Sequence, residues 1–471
     1  MDNTLDARID SYVDEVFEDM VDDISALVSH PSVADASKAE PGAPFGRAVR
    51  DALDCGLSIA RRLGFETGDD EGYLGWADIP GDEERQLATI AHVDVVPAGP
   101  GWATDPFEVS RRDGWLLGRG VMDDKGPAVL SLYAGAFLLH EGIKPRYTFR
   151  ALLGCDEEVG MSDVHHYLES HEDPAFLFTP DASFPLCNAE KGCYGVTLVS
   201  GPIEGGKILS WSGAEVTNAI PGESVLELAC SLEDLPEPTK HADRISFAQA
   251  GPGAVRITAQ GIGGHASMPE GTLNAIGIIV DYLTENPGLL SESEVAFLGL
   301  LGLVHADTDG AALGIASSND AFGPLTVNGG TICVRDGRLE QTLDIRYPSS
   351  ITADEMTSTL AARAAEFGAT VQVTRDKVPF WVDASHPAVQ TLLSVYNEVT
   401  GEHAEPFSMG GGTYARNFAC AVSFGPEDPD MDMPEWAGPM HGPNEGAPEE
   451  LLRRALKIYI RAILRLQEVE L

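Results

Sequence analysis

A histidine and an aspartate two positions apart stand at the end of an apolar run that begins at Leu87. A β-strand places residues i and i+2 on the same face, so His92 and Asp94 can converge. In such a pair the imidazole can bind a metal ion while the carboxylate fixes the orientation of the ring. The spacing therefore predicts part of a metal site, although a lone His-x-Asp also occurs where an ordinary strand meets solvent.

An acidic pair, Asp123 and Asp124, lies just before an apolar periodic stretch over 128–140. The periodicity predicts a helix with Pro127 near its first turn. Taken alone, the two carboxylates could simply favour the positive end of the helix dipole. Beside a potential histidine ligand, they become candidate metal ligands as well.

Two further predicted strands are each followed by carboxylates. The strand over 147–153 leads to Glu157 and Glu158, and a strand that begins at Phe176 leads to Asp181. Carboxylates beside a core need cations or hydrogen bonds. Each could be an ordinary turn residue, but that explanation would have to hold for every one of these groups at once.

His441 lies in a loop ahead of the last predicted helix. Because open α/β sheets bind ligands beyond the carboxyl ends of their strands, it could meet the other groups in one crevice. Two histidines and several carboxylates around one point suit a pair of divalent cations about 3.5–4 Å apart, bridged by a carboxylate and a water. Such ligands favour zinc, manganese or cobalt.

The chain resembles the M20 family of dinuclear metallopeptidases and, within it, the bacterial dipeptidase branch of the PepV type. The resemblance extends from Ile24 to the C-terminal helix. The motifs that carry it are Ala91-His92-Val93-Asp94-Val95-Val96-Pro97, Gly118 to Pro127, Asp156-Glu157-Glu158, Thr179-Pro180-Asp181, Gly263-Gly264-His265-Ala266-Ser267, Gly410 to Arg416 and His441 to Glu445.

This resemblance implies a set of metal ligands. His92, Asp123 and Asp181 would hold one ion, and Asp123 would bridge to a second ion that Glu158 and His441 complete. The implied cofactors are therefore two divalent metal ions, with zinc favoured and manganese or cobalt as alternatives.

The same resemblance assigns roles to the neighbouring carboxylates. The bridging carboxylate of the family lies two residues before a lysine, here Lys125, so Asp123 is preferred to Asp124. Glu157 would be the general base that takes a proton from the bridging water and returns it to the leaving amine, which requires a pKa near the working pH. Asp94 would orient His92.

The middle of the chain differs in character from its two ends. Strands whose residues alternate in polarity are predicted over 194–200, 224–231, 255–260 and 339–346, and helices are predicted over 273–283 and 353–367. This resembles the inserted lid domain of the family. The implied fold is α/β, with a discontinuous, mixed-sheet, zinc-peptidase-like catalytic domain over 1–190 and 381–471 and an inserted α+β lid domain over 191–380.

Two residues of this insertion are candidate hydrogen-bond donors to substrate. His265 follows a glycine-rich segment that allows close backbone approach to a ligand, although a flexible loop with an exposed imidazole has the same composition. By resemblance, His265 stabilises the oxyanion of the tetrahedral intermediate. Asn218 is a second donor candidate, or else only a turn former.

A carboxylate-binding group is also implied. Arg346 ends a predicted strand and offers a planar fork that matches a carboxylate. It could equally form a salt bridge inside the lid, but the resemblance favours a grip on the free carboxyl group of a short peptide. Backbone amides of Gly411, Gly412 and Thr413 could bind the same group, unless the three glycines are only a linker.

The composition of the chain limits its possible binding partners and its cellular location. The 471 residues suggest two domains, and 74 acidic against 31 basic residues give a formal net charge of -43. This charge argues against nucleic acid or an anionic membrane as a partner. No signal-peptide or membrane-spanning run is evident, and seven scattered cysteines favour the cytoplasm. The oligomeric state stays open, and a monomer is compatible with the sequence.

These observations predict a metal-dependent hydrolase that cleaves dipeptides. One alternative is an aminoacylase or N-acyl amino acid amidohydrolase with the same metal site. Another is a binding protein that has kept the fold and lost the chemistry. Glu157 beside Glu158 argues against an inactive homologue, and the long lid with the Gly-Gly-Gly-Thr-Tyr loop favours dipeptides.

Overall fold

The computed structural model describes residues 3–428 and 431–471, and it divides the chain into two compact units. The first unit is formed by the chain up to Asn188 together with Trp381–Phe407 and Gly412–Leu471. The second is formed by Ala189–Phe380 and Ser408–Gly411. Within residues 3–428 and 431–471, none of the helices combines the length and apolar character that a bilayer crossing requires.

The elements follow one another in three stretches of chain. The first stretch contains α1 (Asn3–Val28), α2 (Arg47–Leu63), β1 (Glu66–Asp70), β2 (Leu74–Ile79), β3 (Glu83–His92), β4 (Ser110–Arg112), β5 (Trp115–Leu117), α3 (Lys125–His140), β6 (Tyr147–Gly154), α4 (Ser162–Leu168), β7 (Phe176–Thr179) and β8 (Cys187–Glu190).

The second stretch contains β9 (Gly192–Val199), β10 (Ile208–Ser212), β11 (Ala219–Ile220), β12 (Glu223–Leu228), β13 (Ile245–Gly251), β14 (Ala254–Gln260), β15 (Gly264–His265), α5 (Ala275–Glu285), α6 (Glu292–Val304), β16 (Ser318–Asn319), β17 (Gly323–Pro324), β18 (Thr326–Arg335), β19 (Arg338–Tyr347), α7 (Ala353–Glu366) and β20 (Thr370–Lys377).

The third stretch contains β21 (Phe380–Trp381), α8 (Pro387–Thr400), β22 (Phe407–Met409), β23 (Ala421–Ser423), β24 (Gly446–Pro448) and α9 (Glu449–Leu466). Short 3-10 turns lie at Ala36–Lys38, Leu232–Asp234, Pro287–Leu289 and Tyr414–Asn417.

The main sheet of the first unit is mixed, with the strand order β1-β2-β6-β3-β7-β23-β8. β6, β3, β7 and β23 are parallel neighbours, whereas β2 is antiparallel to both of its neighbours, β1 and β6. From Leu87 onward β3 is buried at every residue, as expected for a central parallel strand covered on both faces. α3 packs against α9 and is buried from Lys125 to Leu138. The predicted α/β fold with a mixed sheet is confirmed.

The second unit has an α+β composition. Its larger sheets are two four-stranded antiparallel sheets, with the orders β10-β12-β14-β13 and β18-β19-β9-β20, and the short strands β11 and β15, and β16 and β17, form two-stranded pairs. β14 alternates buried and exposed residues, which is typical of an antiparallel strand with one face on a core. α5 packs against β12 and β14, and its side chains Ile276, Ile279 and Leu283 are fully buried in the core of this unit.

Candidate active site

Three parallel strands of the first unit deliver acidic and imidazole groups to one edge of the sheet. β3 ends at His92, which is paired in register with Gly154 at the end of β6. Glu157 and Glu158 follow β6, and Asp181 follows β7 on the other side of β3. Because parallel strands end at the same edge, groups that are distant in sequence come together there.

The first group of potential metal ligands consists of His92, Asp123 and Asp181. His92 Nε2 lies 3.0 Å from Asp123 Oδ1 and 3.8 Å from Asp181 Oδ2. One ligand atom from each of the three residues falls within 4.8 Å of the others. The imidazole is buried, and burial alone would lower its pKa, but the carboxylates of Asp123 and Asp94 raise it well above the usual value.

The second group consists of Asp123, Glu158 and His441. His441 Nε2 lies 2.8 Å from Asp123 Oδ2 and 3.3 Å from Glu158 Oε2. These two carboxylates raise the pKa of His441 to about 10. Asp123 thus presents one oxygen to His92 and the other to His441, which is the arrangement of a carboxylate shared by two neighbouring sites.

Asp123 is held by a buried carboxylate from the distant C-terminal segment. Glu445 Oε1 accepts hydrogen bonds from the backbone N–H groups of Gly120, Met122 and Asp123, at 3.0, 3.1 and 3.2 Å. Glu445 Oε2 accepts a bond of 2.5 Å from Arg119 Nη1, and both of these side chains are buried. The main chain before Asp123 is therefore fixed by an ion pair inside the protein.

The remaining carboxylates differ in what they contact. Asp124 accepts a hydrogen bond of 3.2 Å from the backbone N–H of His92 and is fully buried, so its side chain holds the main chain at His92. Asp94 receives hydrogen bonds from the backbone N–H groups of Glu157, at 3.3 Å, and Glu158, at 3.2 Å.

The contact between His92 and Asp94 differs from the one expected from sequence. His92 Nδ1 is 2.9 Å from the backbone carbonyl oxygen of Asp94, whereas the nearest Asp94 carboxylate oxygen is 3.5 Å away. β3 ends at His92, so Asp94 lies beyond the strand. The shorter contact that orients the ring therefore comes from the main chain, and the carboxylate mainly holds the loop that carries Glu157.

Negative charge is concentrated at this edge of the sheet. Burial raises the pKa of Asp181 to about 7, and the charge of Asp123 adds to the shift. Burial, together with the charge of Asp181, also raises the pKa of Glu157 well above its usual value. A divalent cation among these groups would favour their ionised forms.

The donor set fits a pair of divalent metal ions. Two imidazoles and three carboxylates supply the nitrogen and oxygen ligands that zinc, manganese and cobalt accept. Glu158 Oε1 is buried and has no hydrogen-bond partner among the residues that the structure describes. A buried carboxylate oxygen of this kind carries a free-energy cost that a cation would remove.

In the second unit the structure brings together two of the predicted substrate-binding residues. β11 pairs with β15 so that Ala219 faces His265, and the carbonyl oxygen of Asn218 accepts a hydrogen bond of 2.8 Å from Ala266. His265 Nδ1 accepts from the Ser267 N–H at 3.2 Å and lies 2.7 Å from Ser267 Oγ. The ring proton is thereby assigned to Nε2.

Arg346 is engaged within the same unit. It forms a two-pronged ion pair with Asp344, at 2.5 and 3.0 Å, and donates a 2.6 Å hydrogen bond to the carbonyl oxygen of Gly410. The salt bridge that the sequence allowed as an alternative to carboxylate binding is therefore present. These bonds use three of the five N–H donors of a guanidinium group.

The glycine-rich loop continues into a formed structure. Thr413 is buried, lies 3.0 Å from Ser423 Oγ and accepts a hydrogen bond from Ala415 N–H at the start of the Tyr414–Asn417 turn. A Cβ atom at Gly412 would lie 2.3 Å from Arg416 Nη1, so the guanidinium group would have to move. Gly411 is placed in the second unit and Gly412 in the first.

Comparison with known proteins decides the family. The model of peptidase family M20/M25/M40 matches residues 88–465. This chain belongs to that family. The branch within the M20 family that resembles PepV stays a prediction.

A similar sequence supports this membership, and two solved structures share the fold. The "Putative dipeptidase YtjP" of Bacillus subtilis (strain 168) is 31% identical over 468 residues, which cover 95% of this M20 chain and 97% of that protein. The crystal structure of human carnosine dipeptidase 1 matches with a TM-score of 0.59 and 14% identity, covering 98% and 99% of the two chains. The crystal structure of the Bacillus subtilis YXEP protein, a dinuclear metal binding peptidase from the M20 family, matches with a TM-score of 0.50 and 11% identity. The match covers 97% of this chain and 100% of that chain.

Several residues at or near the site of this M20 peptidase were not given a role from sequence. Arg119 and Glu445, which pair with each other, lie within the motifs that carried the resemblance. The sequence signal that could have found them was one basic and one acidic residue in two separate glycine-containing loops. Glu427 lies beyond the end of β23, close enough that the charges of Asp181 and Asp123, after burial, raise its pKa. The short apolar strand before Glu427 was the signal that could have found it.

Proposed function

We propose that this M20 peptidase is a dipeptidase that uses two divalent metal ions and a water shared between them. The observation that carries the proposal is the shared carboxylate: Asp123 presents one oxygen to His92 and the other to His441. Such an arrangement suits two adjacent ions. Similarity to proteins described as dipeptidases supports the choice of substrate.

In the proposed site each ion has its own ligands. His92 and Asp181 would complete one set, Glu158 and His441 the other, and Asp123 would belong to both. When bound, two such ions polarise the scissile carbonyl group and make a shared water acidic enough to supply the nucleophile. Zinc is the favoured metal, and manganese or cobalt would fit the same donors.

Glu157 is the proposed general base. Its backbone is fixed by the hydrogen bond to Asp94, and the neighbouring backbone of Glu158 is fixed by the same carboxylate. Burial and the surrounding negative charge raise the pKa of Glu157, which favours reversible proton uptake. In this role Glu157 takes a proton from water and later delivers it to the amine of the leaving amino acid.

The second unit would serve as the inserted lid domain, with the catalytic domain over 1–190 and 381–471 and the lid over 191–380. With the ring proton on Nε2, His265 is set to donate a hydrogen bond to a developing oxyanion. Asn218 would add a second donor. Arg346 and the backbone of Gly411, Gly412 and Thr413 would bind the free carboxyl group of the dipeptide.

The test is an assay of the purified protein loaded with zinc or manganese against dipeptides, tripeptides and N-acyl amino acids. We expect cleavage of dipeptides that have both ends free, loss of activity on chelation and recovery when metal is restored. Cleavage of N-acyl amino acids alone would instead identify an aminoacylase. Binding of dipeptides without turnover in any metal would identify an inactive homologue.

Location and assembly form part of the same proposal. The seven cysteines are all free thiols, which suits the reducing cytoplasm. We expect a small-molecule substrate and no nucleic acid or membrane partner. A monomer is the simplest assembly, and sedimentation of the loaded protein would test it.

A further inference from the structure

A fourth parallel strand also delivers a carboxylate to the edge of the sheet that carries the candidate metal ligands. β23 is the parallel neighbour of β7, with Ser423 opposite Thr179. Beyond these strands Glu427 pairs with Ser183, and the Glu427 N–H donates a 3.1 Å hydrogen bond to the carbonyl oxygen of Ala182. The chain segments that follow β7 and β23 therefore remain side by side.

A glycine makes this close approach feasible. A Cβ atom added at Gly425 would lie 1.8 Å from the carbonyl oxygen of Pro180 and 2.3 Å from that of Ala182. Any side chain would force the two segments apart. Gly425 thus fixes Glu427 beside the loop that contains Asp181.

Glu427 lines a cavity of about 130 Å³ whose walls are mostly thioether and hydrocarbon. Beside Glu427 and Asp428, the lining residues are Met122, Met431, Met433, Pro439, Met440 and Gly446. An apolar cavity of about 150 Å³ admits a molecule of the size of benzene, so this one can hold a single amino-acid side chain. Methionine walls are flexible and adapt to chains of different shape.

The cavity adjoins the proposed catalytic centre. Two of its walls are the residues immediately before metal-ligand candidates, Met122 before Asp123 and Met440 before His441. The Glu427 carboxylate receives one weak hydrogen bond, 3.4 Å from Ser183 Oγ, and no basic side chain is among the described lining residues. No cationic side chain of the described cavity wall therefore pairs with this carboxylate, and the charge of His441, which acts on Glu427, comes from a proposed metal ligand outside that wall.

We infer that this cavity is a side-chain pocket of the dipeptide site and that Glu427 makes it selective for lysine or arginine. The long hydrocarbon stem of either side chain would lie against the methionines, and its cationic end would pair with Glu427. The inference rests on the proposed function, since it names the substrate class of the same site. Glu427 is a specificity-determining residue and takes no part in the proton transfers.

The first experiment compares substrates that differ only in charge. With metal-loaded protein, kcat/KM is measured for Lys-Ala and Ala-Lys and for the same dipeptides with norleucine, which keeps the stem and lacks the ammonium group. We expect a preference of about 10- to 100-fold for lysine at one of the two positions, the range of a hydrogen bond to a charged group. The position with the preference identifies the residue that enters the pocket.

Three variants separate charge from shape. Glu427→Gln should remove the preference for lysine and leave the norleucine peptides within about twofold of the wild type, which is below the effect of a single charged hydrogen bond. Met433→Trp should fill the cavity and reduce hydrolysis of long side chains while sparing Ala-Ala. Glu435→Gln changes an exposed carboxylate in the same loop and should alter neither rate nor preference.

The outcomes distinguish this inference from the proposed function. Hydrolysis of all peptides with equal rates for lysine and norleucine overturns the pocket and leaves the dipeptidase intact. An equal loss for every dipeptide in Glu427→Gln also overturns it: with loss of metal, measured by atomic emission, Glu427 would belong to the metal site, and with metal retained it would bind the α-ammonium group. Absence of peptide hydrolysis in any metal overturns both proposals.

Discussion

The Tyr414 hydroxyl donates a hydrogen bond to the buried carboxylate of Asp163, and the same Asp163 oxygen accepts from the backbone N–H groups of Cys155 and Asp156. Burial raises the pKa of Asp163 to about 7, whereas the Tyr414 bond opposes the rise. Tyr414 lies in the glycine-rich motif Gly410 to Arg416, and Cys155 and Asp156 lead into Glu157. One carboxylate therefore joins two loops of the candidate site.

Removing the Tyr414 hydroxyl should weaken both loops. For Tyr414→Phe we expect the free energy of unfolding to fall by about 1–3 kcal/mol, because a buried acceptor loses a donor. Urea denaturation gives this quantity. The control is Tyr396→Phe, which removes a hydroxyl bonded to Glu402 at the surface and should change stability by less than about 0.5 kcal/mol. Equal effects of the two changes would contradict a special role for Asp163.

Glu157→Gln tests the proton transfers of the proposed mechanism. The amide keeps the size of the side chain but cannot take up a proton, so kcat should fall by about 10²- to 10⁴-fold. Metal content should be unchanged, since Glu157 is outside both groups of potential ligands. Glu169→Gln, an exposed carboxylate just beyond α4, is the matched control. Full activity of Glu157→Gln would remove this residue from the mechanism.

His265→Ala tests the proposed oxyanion donor. Loss of one such donor typically lowers kcat by about 10²- to 10³-fold, and we expect little change in metal content or in KM. His403→Ala removes an exposed imidazole of the first unit and should have no effect on kcat. If His265→Ala released metal and left kcat per bound metal unchanged, the role of this histidine as an oxyanion donor would be wrong.

Elements with a clear period were predictable from the sequence. The apolar stretch over 128–140 became α3, and the strand over 147–153 became β6. In the second unit, the helices predicted over 273–283 and 353–367 correspond to α5 and α7 with shifts of one or two residues at their ends. Burial of one face imposes the period, so these elements could be recognised without a structure.

Other elements gave a weaker signal. α6, Glu292–Val304, has apolar residues on every side, so no helical period stands out even though Ser291 and Glu294 form a capping box at its start. β18 contains Gly329 and Gly330, which lower strand propensity, and its register is irregular next to them. Pairing with β19 stabilises this strand, and pairing partners are not visible in a single sequence.

The candidate site divides in the same way. The residues proposed to hold metal could be named because they follow strand ends in recognisable motifs. The residues that hold these ligands in place could not be named. The hydrogen bond from Tyr414 to Asp163 joins residues 251 positions apart, and the ion pair of Arg119 and Glu445 joins residues 326 positions apart. Neither pair has a local pattern, because only the packing of the folded chain brings its members together.

His305 should make the stability of the second unit depend on pH. Its ring lies against Gly277 and Gly329, with Nε2 3.1 Å from Gln341 Nε2, and burial lowers its pKa to about 4. The unfolded chain takes up a proton below about pH 6.5, whereas the folded chain resists it until about pH 4. Stability is therefore fully retained above the unfolded pKa and is lost as the pH falls from 6.5 to 4, by on the order of 3 kcal/mol.

The matching variant is His305→Gln, which cannot be protonated. The drop in unfolding free energy between pH 7 and pH 4.5, measured by urea denaturation, should be smaller than in the wild type by about 2–3 kcal/mol. The difference between the two pH values is compared, so a uniform loss of stability in the variant does not affect the test. His403→Gln should keep the full wild-type drop, because that histidine is exposed in both the folded and unfolded states. An unchanged drop in His305→Gln would show that the folded and the unfolded protein protonate His305 at the same pH, contrary to its burial.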